Sequence, residues 1–246
     1  MSELYPPEAK HLNVLEHLEE LRRRLFFVLI VFAVFTVVAF FYGSQIFEWT
    51  KKPIQALPGQ MIFISPSEAF TAYFQLSLVA GFFLTFPFLL YQSWKFLVPA
   101  FAPSFRRRIF FWLLLSFLLF MGGTVFAYWI ALPFAFGFLI SFGSQMALPQ
   151  ITLGNYVSFF TFLILSGAFV FQIPVVLGLF SELGFISPAV LKSKRPYALI
   201  VILVIAAIIT PTQDIFNMLL FAVPMMLLYE CGILLAAYAQ RKGSAR

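Results

Sequence analysis

The feature that most constrains the fold is a long stretch without charge. No Asp, Glu, Lys or Arg lies between Arg108 and Glu182. A soluble domain carries a charged residue at roughly one position in four. The whole chain of 246 residues is 62% hydrophobic and only 11% charged, and 35 of its residues are phenylalanine. Lipid is therefore the solvent for most of this chain, which predicts an all-α polytopic membrane protein with a single domain over residues 1–246.

Six apolar segments are long enough, or nearly long enough, to be membrane spans. A helix needs about 20 apolar residues to cross a hydrocarbon core of about 30 Å. A stretch rich in Gly, Ser, Pro and Gln, Ser141 to Asn155, predicts a loop between the third and fourth spans. The predicted transmembrane helices cover residues 25–42, 69–97, 109–138, 156–181, 196–210 and 215–238.

The last two of these helices are predicted to be short. The fifth covers only about 20 Å at 1.5 Å per residue, which falls short of an ordinary bilayer unless the membrane thins around it. The sequence TPTQD at Thr210 to Asp214 separates it from the sixth. We expect a short helical hairpin here, and a re-entrant pair is the alternative.

The basic residues fix an orientation for six spans. Of the 16 Lys and Arg residues, 14 fall on one side of the predicted spans, and only Lys51 and Lys52 fall on the other. The positive-inside rule places both termini in the cytoplasm. Because these cations sit in short clusters beside apolar runs, they indicate membrane-flanking charge and not a nucleic-acid-binding face.

Charged residues crowd the start of the first span. In NVLEHLEELRRRLFFVLI, Glu20 and Arg24 are four residues apart, as are Glu19 and Arg23, so each pair lies on one face of a helix. One interpretation is a surface helix with salt bridges, in which the arginines act as a topology anchor. The other is a carboxylate patch that binds a cationic partner, since acidic residues contribute little to orientation. Arginine suits such a patch because its planar guanidinium pairs with carboxylates bidentately.

Three further polar residues lie in or beside the last spans. Gln172 stands next to Pro174 and is either a helix-packing amide or a functional group. Asp214 is either a turn residue or a functional carboxylate between the last two spans. Glu230 lies within the last span, where a charge is costly and normally faces protein or water.

No sequence motif for catalysis or cofactor binding is present. The chain has no phosphate-binding glycine loop, no HExxH and no nucleophile elbow. Cys231 is the only cysteine, and the two histidines, His11 and His17, both lie near the start. These facts exclude an internal disulfide and argue against a metal site. We expect a protein that is not an enzyme and has no cofactor.

HLEELRRRL, SPSEAF and five later segments together resemble one family, TatC, a subunit of the twin-arginine protein translocase. HLEELRRRL resembles its N-terminal signature HLxELRxRL, and SPSEAF resembles its SPxE segment before the second helix. The remaining segments that resemble the family, in order, are PFLLYQSWKFLVPAF (87–101), FAYWIALPFAFGFL (126–139), VSFFTFLILSGAFVFQIPVVL (157–177), KRPYALIVILVIAAIITP (194–211) and AVPMMLLYECGI (222–233).

The resemblance implies a fold and a function. It implies a glove-shaped bundle of six transmembrane helices in the cell inner membrane, which binds the twin-arginine signal peptides of folded proteins. It implies single-span partners of the TatA and TatB type, transport driven by the proton-motive force, and a homo-oligomer within the receptor complex. The residues that it implies are Glu20, Glu19, Arg22 and Phe96 for signal-peptide binding, and Gln172, Asp214 and Pro53 for a polar site that meets a partner helix.

Two positions depart from the family pattern. Phe105 occupies the place of a glutamate in the loop after the second helix, and Gln172 replaces a glutamate in the fourth helix. The first change leaves Glu20, Glu19 and Glu16 to supply the negative charge for arginine recognition. The second removes a group that can titrate. A secondary transporter for a small solute and a structural membrane scaffold are the alternative functions, although the sequence shows no convincing internal repeat.

Overall fold

The structure is a computed structural model that describes residues 14–55, 60–97, 103–144, 149–210 and 215–244. Helix dominates this part of the chain, as expected where lipid leaves backbone groups no other partner. Its α-helices are α1 (Val14–Phe41), α2 (Gly43–Lys51), α3 (Pro66–Leu97), α4 (Pro103–Phe126), α5 (Leu132–Gly143), α6 (Leu153–Val170), α7 (Ile173–Glu182), α8 (Pro188–Ser193), α9 (Arg195–Ile209) and α10 (Ile215–Ser244).

The predicted fold class, an all-helical membrane protein with several spans, is confirmed. Within the described residues, five apolar helical segments are long enough to cross a membrane: Leu18–Phe41, Pro66–Phe96, Phe110–Gly143, Leu153–Glu182 and Met218–Gln240. The helix α9 is apolar but has only 15 residues. The count of six spans therefore depends on α9 crossing the membrane, and that count, the predicted span boundaries and the glove shape stay predictions.

Two of the predicted spans are interrupted helices. The third consists of α4, a π-helical turn at Ala127–Ala131, and α5. The fourth breaks between α6 and α7, and Pro174 is the second residue of α7. Proline lacks an amide hydrogen and fits the first turn of a helix, so the chain restarts there. In contrast, α3 runs through Pro87 as one helix.

The prediction that both of the last helices are short is wrong for the sixth. The helix α10 has 30 residues, twice as many as α9. The sequence pattern placed its end near Tyr238 because the apolar run ends there. The backbone continues in helical form through Gln240 to Ser244, since a helix does not have to end where lipid ends.

A small parallel sheet was not predicted. Its strands are β1 (Gln60–Ile62) and β2 (Gln150–Thr152), with Met61 opposite Ile151. The strand β2 and the start of α6 lie inside the segment 141–155 that the sequence suggested was a loop. Three-residue strands are too short to show an alternating pattern, and their partner lies far away in the sequence.

Close packing at small residues brings α4 against α6. A Cβ atom added to Gly123 would lie only 2.4 Å from the carbonyl oxygen of Gly167. Nearby, the ring of fully buried Phe120 stacks on Phe86 of α3, with ring centroids 3.5 Å apart. These contacts hold α3, α4 and α6 together.

Candidate functional site

The bundle has two chemically different ends. Glu20 lies near the start of α1, and Arg24, one turn later, contacts Gln92 near the end of α3. We call this the basic end, which also includes the start of α4 and the end of α7. The opposite end, where α1 leads into α2 and where β1 and β2 pair, we call the sheet end.

At the basic end, Glu20 is paired with an arginine of its own helix. Arg24 donates from Nε to Oε1 of Glu20 at 3.0 Å, and one of its terminal nitrogens donates to the same oxygen. The other terminal nitrogen of Arg24 donates to Oε1 of Gln92 at 3.0 Å. The side chains of Arg24 and Glu20 are 14% and 24% exposed. The one-turn spacing of the pair was visible in the sequence, whereas the bond to α3 was not.

The neighbouring charges are far more exposed. Glu19 lies 3.8 Å from Arg22, and their side chains are 74% and 71% exposed. The sequence suggested Arg23 as the helical neighbour of Glu19. A concave surface at this end of the molecule is lined by both carboxylates together with three other residues: Glu19, Glu20, Arg22, Arg23 and Phe26. The structure therefore brings three of the four residues expected to bind a signal peptide to one surface.

The fourth residue, Phe96, lies on the adjacent helix. It is half-buried and follows Gln92 by one turn of α3, so it shares the helix face that meets Arg24. Phe105 lies in the first turn of α4, and its side chain is outside the described part of the structure.

A second charged cluster at the basic end was missed by sequence reasoning. Arg108 of α4 donates to Oε1 of Glu182 at 2.7 Å, and the indole nitrogen of Trp112 donates to Oε2 of the same carboxylate. The side chain of Glu182 is only 5% exposed. Arg108 and Glu182 are the two residues that bound the charge-free stretch. Two predicted spans separate these residues, so the chain returns to the same side before Glu182. The sequence alone therefore indicated that Arg108 and Glu182 could lie near each other.

Gln172 packs against another helix of the same chain. Its Oε1 accepts from the hydroxyl of Ser116 at 2.6 Å, and its Nε2 donates to the carbonyl oxygen of Ser116 at 3.1 Å. The amide therefore joins the break between α6 and α7 to α4. This geometry matches the helix-packing interpretation that the sequence left open.

The sheet end is held by side chains that bond to the backbone. Glu68 accepts from the amide of Gly154 at 2.7 Å and from the amide of Ile64 at 2.8 Å. Tyr128 and Tyr156 donate from their hydroxyl groups to the carbonyl oxygens of Trp49 and Thr50. None of these roles was predicted, although Glu68 belongs to the SPSEAF segment.

The remaining predicted residues fall in different places. Pro53 lies at the sheet end in a 3₁₀ turn, Lys52–Ile54, directly after α2. Asp214 lies outside the described residues. Glu230 of α10 pairs with Arg195 at the start of α9 at 2.7 Å, so this charge within the last helix has a protein partner, as its position required. Among the described residues, no group of three or more metal-binding side chains comes together.

Comparison with known proteins gives one consistent result. Residues 16–224 match the model of a family described as Sec-independent protein translocase protein (TatC). A protein of that name from Aquifex aeolicus is 40% identical over 232 residues, which cover 92% of this chain and 95% of the relative. Another from Koribacter versatilis is 37% identical over 230 residues, covering 91% of this chain and 84% of the relative.

Solved structures agree with the sequence relatives. A crystal structure described as the twin-arginine translocase receptor TatC has a TM-score of 0.79 and 38% identity, and the match covers 92% of this chain and all of that chain. A second crystal structure of that receptor, in the detergent DDM, has a TM-score of 0.80 and 38% identity over 90% of this chain. The shared fold extends over nearly the whole molecule.

Proposed function

Because the chain belongs to the TatC family of Sec-independent protein translocase proteins, we propose that it is the core receptor subunit of a twin-arginine translocation system. In this function it binds the twin-arginine signal peptides of folded proteins at its basic end. It is a multi-pass membrane protein whose apolar helices provide the frame for that site.

The observation that carries this proposal is the placement of two carboxylates on one concave surface. Glu20 and Glu19 line it together, one partly buried and one well exposed. A guanidinium group presents a planar array of N–H donors that matches a carboxylate better than an ammonium group does. A peptide with two adjacent arginines can therefore meet both acidic residues, while Phe96 on α3 supplies an apolar neighbour for the residues that follow.

The orientation and partners belong to the same proposal. The distribution of Lys and Arg favours a basic end that faces the cytoplasm, as expected for a protein of the cell inner membrane that meets its cargo before transport. Single-span partners of the TatA and TatB type complete the translocase, in which this chain forms a homo-oligomer. The proton-motive force drives transport.

A polar site for a partner helix completes this assignment. Its residues are Pro53 at the sheet end, Gln172 at the break between α6 and α7, and Asp214, which directly precedes α10 in the sequence. Gln172 already exchanges two hydrogen bonds with Ser116, so its contribution is to hold α4 in position beside the partner. Because an amide does not titrate, the coupling to protons does not use this side chain.

The central test is photo-crosslinking of a twin-arginine signal peptide to the protein in membranes. We expect Glu20→Gln to reduce the crosslink about tenfold, because a hydrogen-bonded charge is lost from the site. Glu19→Gln is the matched control, with the same change of charge one residue away on a more exposed side chain, and should have a smaller effect. A twin-lysine peptide should crosslink weakly to the wild-type protein.

Equal crosslinking of the two peptides, or of wild type and Glu20→Gln, would contradict the proposed function. A second variant tests the missing carboxylate. Phe105→Glu places an acidic residue in the first turn of α4, where the family resemblance expects one. We expect it to strengthen the arginine-dependent crosslink, and Phe105→Gln, which adds no charge, is its control.

A further inference from the structure

We propose that Arg24 is a built-in competitor for the signal-peptide arginine at Glu20 and thereby raises the dissociation constant of every cationic ligand at the site. This inference rests on the proposed function and deepens it. The resting protein does not present Glu20 as a bare carboxylate, because a guanidinium from one turn further along α1 is already bound to it. An incoming cation must displace that guanidinium or share the carboxylate with it.

Arg24 and Glu20 form a partly shielded ion pair one turn apart on α1. The Nε and one terminal nitrogen of Arg24 both approach the same carboxylate oxygen of Glu20. At 14% exposure, Arg24 is well shielded from water, whereas Arg22 on the same helix is 71% exposed. Arg24 is thus distinct from the surface arginines around it, which flank the membrane in open solvent.

A tethered competitor raises the intrinsic affinity that any ligand needs in order to bind. Because Arg24 belongs to the same helix, its effective concentration at Glu20 is high and constant. A lysine ammonium is a compact and strongly hydrated charge, so it replaces a guanidinium on a carboxylate poorly. Because every ligand has to displace the same side chain, Arg24 raises the dissociation constants of arginine and lysine peptides by the same factor. The lysine peptide, which binds more weakly to begin with, is then the first to fail to bind at a given concentration.

Gln92 is a second hydrogen-bond partner for Arg24 and remains available when a peptide displaces Arg24 from Glu20. The free end of the guanidinium already donates to the Gln92 amide oxygen at 3.0 Å, across the interface between α1 and α3. When a peptide takes Glu20, Arg24 keeps this bond and stays out of the way of the ligand. Gln92 is thus a positioning residue, because it acts on the peptide only through Arg24.

The experiment measures the dissociation constants of twin-arginine and twin-lysine signal peptides for the full-length protein in lipid nanodiscs. We expect Arg24→Gln to bind the twin-arginine peptide about fivefold more tightly, as for the loss of a competing ion pair of ordinary strength. The twin-lysine peptide should bind more tightly by the same factor, because both peptides compete with the same side chain. Lys192→Gln removes one positive charge from an exposed position of α8 and should leave both constants unchanged.

Gln92→Leu separates competition from a structural role. Because Arg24 bonds to Gln92 both before and after it is displaced, the loss of this bond should leave the dissociation constant of the peptide unchanged. A merely structural link between α1 and α3 predicts that Arg24→Gln and Gln92→Leu both weaken binding, and that result would overturn the inference. Arg24→Lys, a weaker competitor that keeps the charge, should bind more tightly than wild type even if Arg24→Gln fails to fold.

The two proposals fail in different ways. If the wild-type protein shows no arginine-dependent binding that needs Glu20, the proposed function itself fails. If wild type binds through Glu20 but Arg24→Gln and Arg24→Lys bind more weakly, only the competitor role is wrong.

Discussion

The two ends of the bundle use polar side chains in opposite ways. At the sheet end, Glu68 and the tyrosines Tyr128 and Tyr156 bond to backbone amides and carbonyls. At the basic end, Glu20 and Glu182 bond to arginine side chains. A backbone group cannot leave its position without unfolding a segment, whereas an arginine side chain can rotate away. The difference suggests that the sheet end is built to stay fixed and the basic end to exchange partners.

The largest expected effect is at the sheet end. Glu68→Ala removes the acceptor of two backbone amides, at Ile64 and Gly154, and so releases the turn before α3 and the start of α6 together. We expect the greatest fall in unfolding temperature in detergent, with faster hydrogen exchange at both amides. Glu48→Ala, which breaks a pair with Lys51 at the same end, is the control. A smaller fall for Glu68→Ala than for this control would remove the contrast between the ends.

The next effect is at the buried pair of the basic end. Glu182→Ala should cost about 2 kcal/mol, since a nearly buried carboxylate that accepts from Arg108 and Trp112 is lost. Glu182→Gln keeps an oxygen for the indole and should cost less. Chemical denaturation in detergent measures both. Equal losses would mean that an uncharged oxygen on residue 182 retains none of the stabilisation, so that all of it comes from the charge.

A single tyrosine hydroxyl has a smaller effect. Tyr156→Phe leaves the carbonyl of buried Thr50 without its donor and should cost about 1 kcal/mol. Tyr91→Phe, which removes the same hydroxyl at an exposed position of α3, is the matched control. If both variants unfold at the same temperature, the tyrosines are not what fixes the sheet end.

The smallest effect belongs to the exposed pair of the basic end. Glu19→Gln should leave the unfolding temperature unchanged, because surface ion pairs contribute little to stability. Thermal unfolding of wild type and variant side by side checks this. A clear loss of stability would mean that Glu19 is a structural residue like Glu68, and the comparison between the two ends would need to be redrawn.

Much of the site was predictable because helices have a fixed geometry. The spacing of Glu20 and Arg24 places them on one face whatever the rest of the chain does. In contrast, the partners of Glu68, Glu182 and Gln172 lie far away in sequence. No periodic pattern near these residues indicates which partners they have. The length of α10 was missed for a related reason, since hydropathy reports where lipid ends and not where a helix ends.

The sequence by itself determined which segments lie in lipid and which charges flank them. An unpaired charge, or a backbone group without a hydrogen-bond partner, is too costly in lipid to allow alternatives. Only the tertiary structure decided which polar groups meet. It placed Gln92 beside Arg24, Glu182 beside Trp112 and the amide of Gly154 beside Glu68. Such contacts depend on how whole helices pack against one another, and that arrangement is a property of the entire bundle.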